Sequence, residues 1–231
     1  MTDSASERGE LPRISPAADK VLNTFVARHA VLRPIACDLA RACQVIVAAF
    51  SRGQMLFVCG NGGSFADALH IKGELGKAFE QPRPLRDPQL RQRLEELPFG
   101  RQMLDELEVG LPVVVLGESH SLRSAYANDR RAEFCYAQEL LGLVYRRPEG
   151  VLMGISTSGN ARDVVAATSL ARACRLSTIG LTGPGGGQLA DLAEVAIRAP
   201  GSSVAEIQQN HLCLYHSLCR MIEAHFFASP G

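Results

Sequence analysis

The feature that most restricts how this chain can fold is a repeated switch between short apolar runs and helix-length stretches. The apolar runs are MLFVCG (55–60), PVVVLG (112–117), VLMGIS (151–156), LSTIGLTG (176–183) and EVAIRAP (194–200), each bounded by glycine or polar residues. Helix-like segments at 64–78, 130–142, 161–174 and 203–227 occupy most of the intervals. Strands that are apolar throughout must be covered on both faces, and helix-length connections suit parallel pairing, so the pattern predicts an α/β fold around a parallel sheet. Open sheets of this kind bind ligands beyond the carboxyl ends of their strands.

Two further helices are expected ahead of the first strand, from Ser15-Pro16 to about Leu32 and from Pro34 to Phe50, with Gly53 as the stop. Residues 1–14 are polar and are expected to form a disordered leader, with 15–231 as a single domain. The segment 86–110 interrupts the alternation between the first two strands. Asp87-Pro88 can start a helix there, Leu90, Leu94 and Leu97 give it one apolar edge, and Pro98 breaks it.

Composition narrows the partners. With 24 Lys+Arg against 24 Asp+Glu, the 231-residue chain offers no overall attraction to nucleic acid or an anionic membrane. Any anionic ligand must be held by local geometry. The amino terminus lacks the apolar stretch of a signal peptide, and the longest apolar runs fall short of the ~20 residues that span a bilayer. Seven cysteines include no CxxC pair and several lie within apolar stretches, which fits a reducing compartment and a cytoplasmic location.

Two strand-to-helix loops carry the chemistry. The first, Gly60-Asn61-Gly62-Gly63-Ser64, lets a backbone approach a ligand closely and presents the unpaired N–H groups of a helix start to an anion. It matches neither GxxxxGK[ST] nor the Rossmann fingerprint, so nucleotide binding is not favoured. The second, Ser156-Thr157-Ser158-Gly159-Asn160-Ala161, adds three consecutive hydroxyls, more than a helix cap needs and enough to hold a phosphate without a lysine or arginine. After the first loop, His70 and Glu74 stand four residues apart on one helix face, where they can share a metal, act together in proton transfer or form a surface hydrogen bond. The last helix places Gln208, His211 and His216 among apolar residues, either satisfied in the core or facing a site.

Taken in order, FVCGNGGSFADALHIKGEL, SHSLRSAYANDRRAE, VLMGISTSGNARDVV, GLTGPGGGQLADLAEVAIRAP and EIQQNHLCLYH resemble successive blocks of the sugar isomerase (SIS) fold family, and within it the phosphoheptose isomerases. The resemblance covers roughly 34–85 and 111–226. It implies a three-layer αβα sandwich with a five-stranded parallel sheet of flavodoxin-like type. It also implies a sugar-phosphate aldose–ketose isomerase acting through an enediol(ate), converting sedoheptulose 7-phosphate to D-glycero-D-manno-heptose 7-phosphate. A homotetramer with active sites between subunits and a bound zinc ion are further implications. Carried over by position, Ser64, Ser156, Thr157 and Ser158, with the Gly62 and Gly63 backbone, correspond to phosphate contacts. Asn61, Asp129 and Gln208 correspond to substrate contacts, and His70, Glu74, Gln208 and His216 to metal ligands. Glu74 and His216 also correspond to the catalytic pair.

The chain departs from the family pattern in places. Ala161 stands where a further serine is usual, Ala205 and Glu206 replace polar and basic residues, and the 86–110 insert is atypical. These changes predict a missing phosphate donor and a shifted substrate preference. Two other readings are another phosphosugar isomerase or lyase of the fold, and a non-catalytic SIS regulator that binds the bacterial replication initiator protein. Gln208 and His216, eight residues apart, lie about 12 Å from one another along a continuous helix, so both would have to lean toward a shared metal unless different subunits supply them.

Overall fold

The structure, a computed structural model, describes residues 11–228. Two helices lead in, α1 (Pro16–Arg28) and α2 (Ala36–Ser51), followed by strand β1 (Leu56–Gly60) and helix α3 (Gly63–Gly76). The insert carries α4 (Pro88–Glu95) and α5 (Gly100–Glu106). Next come β2 (Val113–Val115), α6 (His120–Asp129), α7 (Cys135–Val144), β3 (Val151–Ser156) and α8 (Arg162–Ala173). The chain closes with β4 (Ser177–Thr182), α9 (Gly187–Leu192), β5 (Val195–Arg198) and α10 (Val204–Phe227).

The five strands pair in parallel in the order β2-β1-β3-β4-β5. Side chains alternate across the pleat, so Leu56 and Val58 join one core while Phe57 and Cys59 join another. The first core is shared with α1, α2, α3 and α10, the second with α7, α8 and α9, which gives the expected three layers. Strand order reverses at β1, whose neighbours β2 and β3 continue in opposite directions. The crevice beyond the carboxyl ends of β1 and β3 is therefore the place where such a sheet opens to a ligand.

Some expectations shift in detail. Pro34 does not open α2; it lies in a 3₁₀ turn, Ala30–Ile35, and α2 starts at Ala36. The helical run Ala30–Ser51 is long and apolar enough to cross a membrane by length and composition, yet half of it is buried, with Leu39, Ala42, Ile46 and Ala49 in the core. Residues 1–10 of the polar leader lie outside the described residues, while Leu11 and Ile14 pack against the first core.

The insert starts as read from the sequence. Asp87 Oδ1 accepts from the N–H groups of Gln89 and Leu90, capping α4, which ends at Glu95 ahead of Pro98. The chain then turns through Phe99, at φ 64°, into Gly100, where a Cβ would lie 1.7 Å from the Leu94 carbonyl oxygen. Val109 N–H donates to Arg83 O at 2.8 Å, and a Pro84–Glu108 bridge joins the two ends, so the insert leaves and rejoins the fold at one neck.

Candidate active site

Both loops predicted to bind an anion end up side by side, because Gly60 of β1 pairs with Ile155 of β3 at the carboxyl edge of the sheet. In the first loop Gly62 adopts φ 55°, and a Cβ at Gly60 would meet the Ser64 backbone oxygen at 2.7 Å, so tight reversal into α3 excludes larger residues. Ser64 is buried beneath it. In the second loop Ser156 Oγ and Ser158 Oγ approach to 3.5 Å. Gly183 N–H donates to Thr157 O at 3.0 Å and Leu189 N–H to Gly159 O at 2.9 Å, which ties this loop to the start of α9.

Asn61 is already engaged. Its Nδ2 donates to Asp163 Oδ1 at 2.7 Å, and its Oδ1 accepts from the Tyr136 hydroxyl at 3.1 Å. Asn61, Arg123, Tyr136, Ala161, Arg162 and Asp163 line a cavity of about 520 Å³ on the α7–α8 side of the crevice. Asp129, the last residue of α6, is exposed, accepts from Asn128 Nδ2 and does not line that cavity. Ala161 caps α8 without a side-chain bond, and the Asp163 carboxylate serves the first turn by accepting from Val164 N–H.

On the other face α3 and α10 lie side by side and run in the same direction. Gly63 faces Gln208, His70 faces Tyr215, and Phe79 beyond the end of α3 reaches Glu223, a nearly constant offset of 144–145 residues. This parallel pairing brings His70, Glu74 and His216 together with ligand atoms within 4.8 Å of one another. His70 Nε2 sits 2.8 Å from Glu74 Oε1, and the His70 and His216 rings meet edge-to-face at 4.8 Å between centroids. Gln208 stands apart from this trio, its amide against Gly63, and the helix rise puts Gly63 about 10 Å from His70 along α3.

The electrostatics suit proton transfer or a cation. Burial lowers the His216 pKa, the His70 ring beside it adds to the effect, and Glu74 opposes both. His216 Nε2 is buried with no hydrogen-bond partner, and Glu74 Oε2 makes no hydrogen bond among the described residues. An unpartnered imidazole nitrogen beside a second imidazole and a carboxylate is a donor set that fits a divalent metal. His211 resolves differently: it is fully buried, its Nε2 bonds Thr182 O at 3.1 Å and burial lowers its pKa, so it is a core histidine.

Sequence reading missed the groups that hold this arrangement. Arg83 is buried, donates from Nε and Nη2 to Glu223 Oε1, and reaches the carbonyl oxygens of Leu75 and Glu74 at 2.8 and 3.1 Å. Glu223 also accepts from the N–H groups of Phe79 and Glu80, so one buried ion pair joins the end of α3 to α10. Tyr215 and Asp67 were also missed, although a tyrosine among the aliphatic positions of α10 and an aspartate three residues before His70 are visible signals. Glu206, a departure expected to shift substrate preference, accepts from Ser202 N–H and Oγ while Ser203 caps α10.

No protein-family model matches the chain. Individual relatives do. The chain is 32% identical over 209 residues to the phosphoheptose isomerase of Halorhodospira halophila, covering 89% of this chain and 91% of that protein. It is 32% identical over 187 residues to that of Crocosphaera subtropica, covering 81% and 82%. Among solved structures, phosphoheptose isomerase GmhA from Neisseria gonorrhoeae aligns with a TM-score of 0.67 at 26% identity, covering 89% of this chain and 96% of that one.

Proposed function

The chain belongs to the phosphoheptose isomerase family, and from that premise we propose that it converts sedoheptulose 7-phosphate to D-glycero-D-manno-heptose 7-phosphate at the crevice between β1, β3, α3 and α10. The observation that carries the reading is the meeting of His70, Glu74 and His216 within 4.8 Å, on the helix that starts at the anion-binding loop.

Ser64, Ser156, Thr157 and Ser158, with the N–H groups of Gly62 and Gly63, hold the phosphate, and Asn61, Asp129 and Gln208 contact sugar hydroxyls. Ser64 and His70 are separated by about 9 Å along α3, comparable to the length of an extended seven-carbon sugar phosphate. The anchored phosphate therefore delivers the first two carbons to the trio. Glu74 uses Oε1 to hold His70 and has Oε2 available to take the proton from one carbon and deliver it to the adjacent carbon. His216, kept neutral by burial, passes a proton from the hydroxyl oxygen to the carbonyl oxygen as the enediol(ate) forms and collapses. A zinc ion held by His70, Glu74 and His216 would supply Lewis-acid polarisation of the carbonyl and hydroxyl oxygens.

The proposal extends to a homotetramer in the cytoplasm with sites between subunits. It is supported by exposed Leu69 and Leu212, which flank His70 and His216 as apolar surface for another copy to cover. The test is direct interconversion of sedoheptulose 7-phosphate by purified protein, with and without zinc. Glu74→Gln and His216→Asn should each lower turnover by about 10²–10⁴-fold. Absence of turnover under every metal condition would refute the activity, and a wild-type rate in either variant would reject that residue's role.

A further inference from the structure

The two anion loops meet at the sheet edge, but little backbone joins them beyond it. Gly60 and Ile155 are the last partners that β1 and β3 share, and among the described residues no backbone hydrogen bond links 61–64 with 156–161. The second loop is tied to Gly183 and Leu189 through their N–H groups. The first is held by side chains. Asn61 Nδ2 donates to Asp163 Oδ1 at 2.7 Å, and the hydroxyl of the buried Tyr136 lies 2.6 Å from Gly60 O and 3.1 Å from Asn61 Oδ1.

These bonds fix which way the Asn61 amide faces. A carboxylate only accepts, so the amide NH₂ turns to Asp163 and its oxygen to Tyr136, whose pKa burial raises, keeping it a donor. One hydrogen on Nδ2 remains for a ligand. Asp163 suits the first turn of α8, where its Oδ1 also accepts from Val164 N–H. It nevertheless brings a negative charge to the side chain that opens the first anion loop, where charge alone works against a bound phosphate.

We propose that Asp163 and Tyr136 are positioning residues that clamp Asn61 and so join the first anion loop to the helix that follows the second, giving one preformed phosphate cradle. Without the clamp the two loops are linked only through the strands that carry them, and a phosphate must order the first loop as it binds. Charge and clamp have opposite signs. Removing a carboxylate from beside an anion site strengthens anion binding by electrostatics, whereas releasing Asn61 weakens it. The inference rests on the reading of the two loops as a phosphate site, but it concerns how that site is held together rather than turnover.

The test titrates inorganic phosphate into the purified full chain by calorimetry and follows amide hydrogen exchange by mass spectrometry without ligand. Asp163→Ala should weaken phosphate binding about 2–10-fold, the usual net worth of one hydrogen bond, although it deletes a negative charge. It should also speed exchange at Ser64 and Phe65, whose N–H groups bond Asn61 O and Gly62 O, while the amides of β3 keep wild-type rates. Asp163→Asn keeps an oxygen that accepts from Asn61, so it should return exchange to within twofold of wild type and bind phosphate at least as tightly. Tyr136→Phe should move both readouts as Asp163→Ala does without touching α8, which separates the clamp from a weakened helix start. Phosphate binding by Asp163→Ala as tight as wild type, failure of Asp163→Asn to restore it, or faster exchange confined to α8 would overturn the clamp. If wild type binds no phosphate, the phosphate reading fails, and exchange at Ser64 and Phe65 still decides whether Asp163 and Tyr136 hold the loop.

Discussion

Replacing Arg83 by methionine should cost this protein a large part of its stability. Arg83 and Glu223 are 1% exposed, and the guanidinium is stacked 4.7 Å over the Phe227 ring. Arg83→Met keeps much of the stem but leaves the Glu223 charge buried with only the Phe79 and Glu80 N–H groups, and it removes the donor that reaches Glu74 O. Leu75 O keeps a second partner in Leu111 N–H, so that loss is partial. Removing one member of a buried pair typically costs about 3–5 kcal/mol, and for a chain of this size each kcal/mol moves the midpoint by about 2–4 °C, so the fall should be about 6–20 °C. The measurement is thermal and urea unfolding at fixed protein concentration, repeated for Glu223→Gln and for the double variant. In the double variant neither charge is stranded, so it should be more stable than the sum of the single losses allows, with a coupling of about 0.5–3 kcal/mol. A loss below about 1 kcal/mol in Arg83→Met, or simple additivity, would refute the view that this pair clamps α3 to α10.

Three other outcomes follow from the geometry. Ser156→Ala removes a buried hydroxyl from the proposed phosphate-binding loop. Because a hydrogen bond to a charged group is worth about 1.5–3 kcal/mol, KM should rise about 10–150-fold while kcat changes little; steady-state kinetics and competition by inorganic phosphate check this, and a KM within twofold of wild type contradicts it. Gly159→Ala places a methyl 1.8 Å from the Gly186 carbonyl oxygen at φ 66°, so it should lower the thermal midpoint and abolish phosphate competition together; retention of both would show that the loop relaxes freely. Burial lowers the His211 pKa below its ordinary 6.5. As pH falls past that value the unfolded chain gains a proton that the folded one refuses, so the His211 contribution is complete above about 6.5 and declines below it. His211→Gln should flatten the loss of stability between about pH 6.5 and the lowered folded value, and identical pH profiles for the two proteins would count against the assignment.

The sheet, the loops and two members of the trio could be read from the sequence because each depends on neighbours in the chain. Apolar runs such as VLMGIS state that a strand is buried on both faces, glycines at 60 and 62 state where the backbone must reverse, and His70 and Glu74 share a helix face at four-residue spacing. Asp87-Pro88 announced α4 for the same reason, being a local cap. Glu206 also has a local purpose, serving the start of α10 through Ser202. The helices α6 and α9 were overlooked, since neither carries the strong apolar periodicity of α2 or α10.

What the sequence could not supply is the register between α3 and α10. Read along one helix, Gln208 and His216 are too far apart to reach a shared metal unless both lean toward it, and the structure keeps them at separate levels, Gln208 against Gly63 and His216 with His70 and Glu74. Parallel helices keep a constant offset, so each level of α10 meets one level of α3. Gln208 belongs with Gly63 at the proposed phosphate end, Tyr215 and His216 belong with His70 and Glu74 at the proposed reacting end, and Glu223 closes the pair beyond Gly76 through Arg83. A slip of one helical turn, about 5.4 Å, would place Leu212 or Cys219 opposite His70 and leave the trio unformed. The ion pair at the far end and the glycine contact at the near end, whose Cβ would strike Gln208 at 2.4 Å, therefore set the register from both sides. On this argument the geometry of the trio depends on Arg83, which touches no substrate in the proposed reaction, as much as on the residues that would.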